Sequence, residues 1–132
     1  MYTTKQVCDQ VGISYETLKF YCKECLVPNV KRDKNNYRKF DEKNIAWLKG
    51  IQCLRKCGMS IKDIKVYMNY CLEGESTIPE RKEMLDKSKA FLLKQIEEIS
   101  ESINFINSKQ AFYDDVLSGK IKYTSNLIDV ED

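Results

Sequence analysis

Histidine is absent from the 132 residues. That removes the imidazole base used by many enzymes and the commonest nitrogen ligand for zinc. Long apolar runs are absent too. None exceeds four residues, as in Ile45-Ala46-Trp47-Leu48, against the ~18 that a membrane-spanning helix requires. The first residues, Met-Tyr-Thr-Thr-Lys, lack the apolar stretch of a secretory leader, so a cytoplasmic location without membrane contact is expected. Only two prolines and five glycines are present, and 42% of residues are hydrophobic, which argues against a disordered chain. No glycine-rich phosphate loop and no nucleophile–base pair is visible. An enzyme is therefore not expected, and no cofactor is implied.

What is present is charge, unevenly placed. The net charge is only +2. Residues 1–72 carry 14 Lys or Arg against 7 Asp or Glu, a balance of +7, while residues 73–132 carry 8 against 13, a balance of −5. A basic front half on an acidic back half points to a polyanion-binding part joined to a part with another task. Six cysteines are present, at positions 8, 22, 25, 53, 57 and 71. In a reducing compartment such thiols are buried, reactive or metal-bound rather than paired.

Helix signals dominate the chain. Thr3 and Gln6 have the spacing of a capping box for a helix over 4–11. Gly12-Ile13-Ser14 makes a short turn, and Ser14 caps a second helix to about Cys25. Two short helices joined at a glycine fit a helix-turn-helix. Asp33-Lys34-Asn35-Asn36 is turn chemistry between short β-favouring flanks, so residues 30–40 read as a small hairpin. Five of the nine residues 31–39 are Lys or Arg. Such a hairpin has no room for a core and reads as a cationic wing for a phosphate backbone. Asp41 caps a third helix that ends at Gly58, with Ile45, Leu48, Ile51 and Arg55 as its main face. Ser60 caps a fourth helix, with Ile61, Ile64 and Met68 on one side.

Gly74-Glu75-Ser76 breaks the pattern where the charge changes sign. Thr77 and Glu80 have capping-box spacing for a last helix, which has no breaker until Gly119. About 40 helical residues would span roughly 60 Å. Leu85, Leu92, Ile99, Ile106 and Tyr113 fall every seventh residue, with Ile96 and Ile103 at the other seam position. A single helix cannot bury such a stripe, so a homodimer is expected. The division expected is 1–73 for a DNA-binding head, 77–118 for a dimerisation helix and 119–132 for a tail. The fold class is all-α with a small β wing: a winged helix-turn-helix followed by a long coiled-coil dimerisation helix, whose antiparallel pairing is implied by the family resemblance that the following residues carry.

At this point a family comes into view. Thr17-Leu18-Lys19-Phe20-Tyr21, Leu26, Asn36-Tyr37-Arg38-Lys39-Phe40, Leu54-Arg55, Gly58-Met59-Ser60 and Ile64-Lys65 resemble, in order and spacing, the DNA-binding domain of MerR-type transcription regulators. The family usually has Arg where Lys19 stands, Glu at Cys22, and Gly at Cys25 and Asn36. The resemblance implies a dimer that binds a near-palindromic promoter and kinks and untwists it, acting on RNA polymerase through the promoter. It places Tyr15, Thr17 and Lys19 in the major groove, Tyr21 on phosphate, and Lys31, Arg32, Tyr37 and Arg38 along the backbone.

The stretch after Cys71 has no cysteine, so a metal-loop or iron–sulfur sensor is not expected there. Ile51-Gln52-Cys53-Leu54-Arg55 and Thr77-Ile78-Pro79-Glu80-Arg81 resemble the branch that answers aldehydes and related electrophiles. That likeness makes Cys53 the candidate sensor, with Cys57 one turn on as a resolving thiol. A packing role competes: Ala46, Gly50, Cys53 and Cys57 form a small-residue stripe. The rival function is a cysteine-rich zinc or redox module without a DNA role, holding zinc through Cys22, Cys25, Cys53 and Cys57.

Overall fold

The computed structural model describes residues 1–131. Among them the order is α1 (Thr4–Val11), α2 (Tyr15–Lys23), β1 (Lys31–Arg32), β2 (Arg38–Lys39), α3 (Glu42–Lys56), α4 (Ile61–Glu73), a 3-10 turn (Glu75–Thr77) and α5 (Ile78–Leu117). This is the expected all-helical architecture with a two-stranded antiparallel wing. The chain divides into two units, Met1–Leu92 and the residues from Leu93 onward. The boundary falls inside α5, beyond the Gly74-Glu75-Ser76 break at which the sequence reading divides the chain.

Local chemistry sets the helix starts. Thr3 Oγ1 accepts from the Gln6 amide at 3.2 Å while Gln6 Oε1 accepts from the Thr3 amide at 2.9 Å, a complete capping box. Ser14, Asp41 and Ser60 each accept an amide from the first turn of α2, α3 and α4. Each such cap is worth about 1 kcal/mol. Gly12 ends α1 in the left-handed region, at φ 77°.

The core gathers one face from each of α1 to α4, with loop residues beside them. Val7, Leu18, Leu26, Phe40, Leu48, Ile51 and Ile64 are almost wholly buried. Phe40 locks the wing onto this core, and its backbone exchanges hydrogen bonds with Tyr2 at 2.7 and 3.0 Å. On α3 the buried face is Asn44, Ile45, Leu48 and Ile51, whereas Arg55 is exposed. Asn44 is a buried polar residue whose side-chain oxygen and nitrogen are both hydrogen-bonded. It shares a capping box with Asp41 and donates Nδ2 to the Pro28 carbonyl at 2.8 Å. Trp47 Nε1 donates to the Leu26 carbonyl at 2.7 Å, and its ring stacks on Tyr67. These two bonds hang the connection between α2 and the wing on α3.

Helix α2 stops at Lys23, earlier than its sequence pattern implies. Cys25 has φ 59° and Asn36 has φ 65°, both left-handed. These are the two positions at which the resembled family carries glycine. Asparagine tolerates this region, but cysteine pays for its Cβ, roughly 1–2 kcal/mol. Cys25→Gly is therefore expected to raise stability by about 1 kcal/mol after the entropy glycine adds to the unfolded chain. Urea denaturation checks this, and a variant no more stable than the parent refutes it.

The start of α5 differs from the expected capping box. Thr77 is buried, and its hydroxyl donates back to the Tyr70 and Gly74 carbonyls instead of capping forward with Glu80. The last carbonyls of α4 have no helical partner, and they take up the hydroxyl first. In the second unit the tail after Gly119 folds back so that the Tyr123 ring lies 6.4 Å from that of Phe112.

Candidate nucleic-acid interface

The outer face of α2 carries Tyr15, Glu16, Lys19 and Lys23, all exposed, while Leu18 and Tyr21 face the core. The i, i+4 spacing of positions 15, 19 and 23 lines them along one side. Ser14 anchors the N-terminal end of this face. Its Oγ accepts the Thr17 amide at 3.1 Å and lies 2.9 Å from Thr17 Oγ1, which fixes that side chain. The sequence reading left out Phe20 and Lys23, both on the exposed side. Phe20 is legible as an apolar residue outside the Leu18 and Tyr21 stripe.

Tyr21 is built differently from its neighbours. Its ring is in the core, only 5% exposed, and its hydroxyl donates to Gln52 Oε1 of α3 at 3.0 Å. In the free chain this side chain therefore packs and ties α2 to α3, and a phosphate contact would need its hydroxyl to exchange Gln52 for the phosphate oxygen.

The wing is pre-shaped by Asp33. Its Oδ1 accepts the amides of Asn35 at 2.8 Å and Tyr37 at 3.0 Å, and its own amide donates to the Tyr37 carbonyl at 2.9 Å. Across the two strands Lys31 faces Lys39 and Arg32 faces Arg38. Both cross-strand pairs therefore oppose cation to cation, which destabilises a hairpin. Little inside the wing relieves this. Lys39 lies 3.9 Å from Asp33, and Arg32 Nη1 donates to the Asn36 carbonyl at 2.8 Å. Tyr37 stands out at the tip, 69% exposed. The Arg38 and Arg32 charges favour the Cys22 thiolate. Burial nevertheless wins there and pushes the Cys22 thiol up, leaving it a weak nucleophile at neutral pH. Cys8 is raised for the same reason.

Cys53 is exposed on α3, Cys57 is half-buried at its end, and Cys25 is exposed. The small-residue stripe is open: Ala46 and Cys53 are exposed, and nothing lies within 4 Å of where a Cβ on Gly50 would be. Among the described residues no three Cys, Asp or Glu side chains converge to hold a metal, so Cys22, Cys25, Cys53 and Cys57 do not form the zinc site of the rival reading. No helix among these residues is long and apolar enough to cross a membrane.

On α5 no residue is buried. The seam residues Leu85, Ile96, Ile99, Ile103, Ile106 and Tyr113 are all exposed, and Leu92 is half-buried.

Residues 2–71 match the family described as MerR HTH family regulatory protein. The chain belongs to the MerR family. An uncharacterized HTH-type transcriptional regulator of Haemophilus influenzae is 40% identical to it over 112 residues, covering 85% of this chain and 83% of the relative. AdhR, an HTH-type transcriptional regulator of Bacillus subtilis, is 38% identical over 80 residues, or 61% of this chain and 57% of AdhR. Among solved structures, HiNmlR, a MerR family regulator lacking the sensor domain and bound to promoter DNA, is 38% identical, with a TM-score of 0.74 and 89% of each chain covered. This MerR-family chain is thus a DNA-binding transcription regulator and not an enzyme. Its α1–turn–α2 pair is the helix-turn-helix, its basic hairpin is the wing, and its long α5 matches the C-terminal helix of MerR-family structures.

Proposed function

We propose that this regulator acts in the cytoplasm as a homodimer on an inverted-repeat promoter. Two α5 helices pair antiparallel through Leu85, Leu92, Ile96, Ile99, Ile103, Ile106 and Tyr113. Each head sets Tyr15, Thr17 and Lys19 of α2 in the major groove and lays Lys31, Arg32, Tyr37 and Arg38 on phosphates. Tyr21 holds α2 at the correct depth. The bound duplex is kinked and untwisted, which brings RNA polymerase's recognition elements into phase.

The observation that carries this reading is the wing. A two-residue ladder that opposes Lys to Lys and Arg to Arg spends folding energy on a surface suited to a polyanion. The unburied seam on α5 supports the dimer, because a contiguous apolar stripe of this length marks an association surface.

The effector we assign is a thiol-reactive electrophile such as an aldehyde, acting at Cys53. The exposure of Cys53 and the likeness to AdhR over the head support it. The thiol adds across a carbonyl: a sulfur–carbon bond forms, the carbonyl π bond breaks, and the thiol proton ends on oxygen. Nothing is oxidised. The test is footprinting on the promoter with and without formaldehyde. Formaldehyde is expected to change the cleavage pattern at the centre of the site for the parent chain. Cys53→Ala should protect the same site and show no change. An aldehyde response that survives in Cys53→Ala overturns the sensor assignment.

A further inference from the structure

Helix α5 is fastened to the head mainly by polar groups. Thr77 and Arg81 form a clasp around the end of α4. The single hydroxyl proton of Thr77 is shared between the Tyr70 and Gly74 carbonyls, the latter at 2.9 Å. Arg81 Nε donates to Thr77 Oγ1 at 3.1 Å, and Arg81 Nη2 donates to the Gly74 carbonyl. Gly74, at φ 102° and ψ −159°, makes the sharp reversal that brings these groups together. That conformation is open essentially only to glycine. One planar guanidinium thus holds the carbonyl that caps α4 and, through Thr77, the Tyr70 carbonyl of its last turn.

Apolar packing along the rest of this contact is thin. Met84 is the α5 residue that packs against the buried core, and it is only half-buried. Further along, the Phe91 ring lies over Gly58, where a Cβ would come within 2.6 Å of the ring. Beside that contact the surface opens into a groove of about 300 Å³, lined by Cys57, Met59, Met84 and Lys87 among others. A helix with so few apolar contacts to the head gets its direction from the end that is gripped.

We infer that Arg81, acting with Thr77, is a positioning residue that sets the spacing between the two DNA half-sites. This rests on the dimeric reading above. In a dimer joined through α5, the distance and rotation between heads follow from the angle at which α5 leaves each head. One base pair of spacing rotates a half-site by about 34° around the duplex. A clasp that holds this angle therefore selects one spacing. A loosened clasp lets the heads pivot and accept several, while each head still reads its own half-site unchanged.

The experiment is in vitro selection of the full-length protein on a randomised duplex library, with thermal melting of each variant in parallel. The parent chain is expected to recover paired half-sites at a single spacing. Arg81→Ala and Thr77→Val should recover the same half-site sequence spread over several spacings. On a duplex two base pairs off the optimum, the parent should lose roughly a hundredfold in affinity, the scale of lost bivalency, and Arg81→Ala less than about tenfold. Arg81→Lys should behave like Arg81→Ala, because lysine is a point donor that cannot span both acceptors with a fixed fork. A merely structural role would lower melting temperature and affinity at every spacing without broadening the distribution, and that result overturns the inference. So does an Arg81→Ala distribution as narrow as the parent's. Recovery of unpaired half-sites by the parent chain would overturn the dimeric reading itself.

Discussion

Replacing Arg32 and Arg38 together by alanine is expected to cut affinity for a random-sequence duplex by three to four orders of magnitude at about 0.1 M salt. The magnitude follows from counterion release. Each phosphate contact contributes about 0.9 to the slope of log affinity against log salt concentration. In the proposed homodimer two such contacts per head make four, so the slope should fall by about 3.6. Over the decade from 1 M to 0.1 M salt, that difference is itself about 3.6 logarithmic units.

The same substitution has a second readout of opposite sign. Arg32 and Arg38 face each other across the ladder, so their removal takes away a like-charge pair that costs the hairpin roughly 0.2–1 kcal/mol. The lost Arg32 bond to the Asn36 carbonyl, an exposed one, offsets part of that gain. Folding stability should therefore hold or rise slightly while DNA binding collapses. Fluorescence anisotropy across a salt series measures the first, and thermal melting measures the second. An unchanged salt slope would refute the placement of the wing on phosphate. A collapse in both readouts would make the arginines structural.

The helix starts were readable because caps are local chemistry. Thr3 with Gln6, Ser14, Asp41 and Ser60 need no information beyond three residues. The wing was readable for a similar reason, since the Asp33 turn and the crowding of cations lie in one short stretch. The misreadings all come from partners distant in sequence or from competition between neighbours. The tie from Tyr21 to Gln52, 31 positions away, has no local signal in the sequence. Thr77 has the right spacing for a forward cap, yet the vacant carbonyls at the end of α4 outcompete it. Arg55 holds the period of the α3 core face, but past Ile51 it is Leu54 that packs against the core, and Arg55 is left exposed. Phe105 falls outside the seven-residue repeat and is 64% exposed, so the repeat alone does not describe the apolar surface of α5.

Ile99→Asp combined with Ile106→Asp is expected to convert the protein to a monomer at micromolar concentration. Both side chains are more than half exposed in the single chain, at 60% and 53%, so neither substitution disturbs a buried contact of the protomer. Burying one isoleucine is worth about 1.5–3 kcal/mol. Two substitutions count twice in a homodimer, so four buried side chains are lost and the pairing weakens by roughly 8 kcal/mol. At 1.4 kcal/mol per decade that is five to six orders of magnitude in the dissociation constant. The four carboxylates would also have to enter the seam unpaired, which adds to the loss. The head should stay folded, because its buried core is built from residues before α5. Glu101→Lys, on the side of the helix away from the seam, should leave the dimer intact. Sedimentation velocity separates the outcomes, with circular dichroism to show that the helices of the head persist. A double variant that sediments as a dimer would place the protomer contact elsewhere on the chain. With it would go the two-headed grip that brings the basic wings to one duplex.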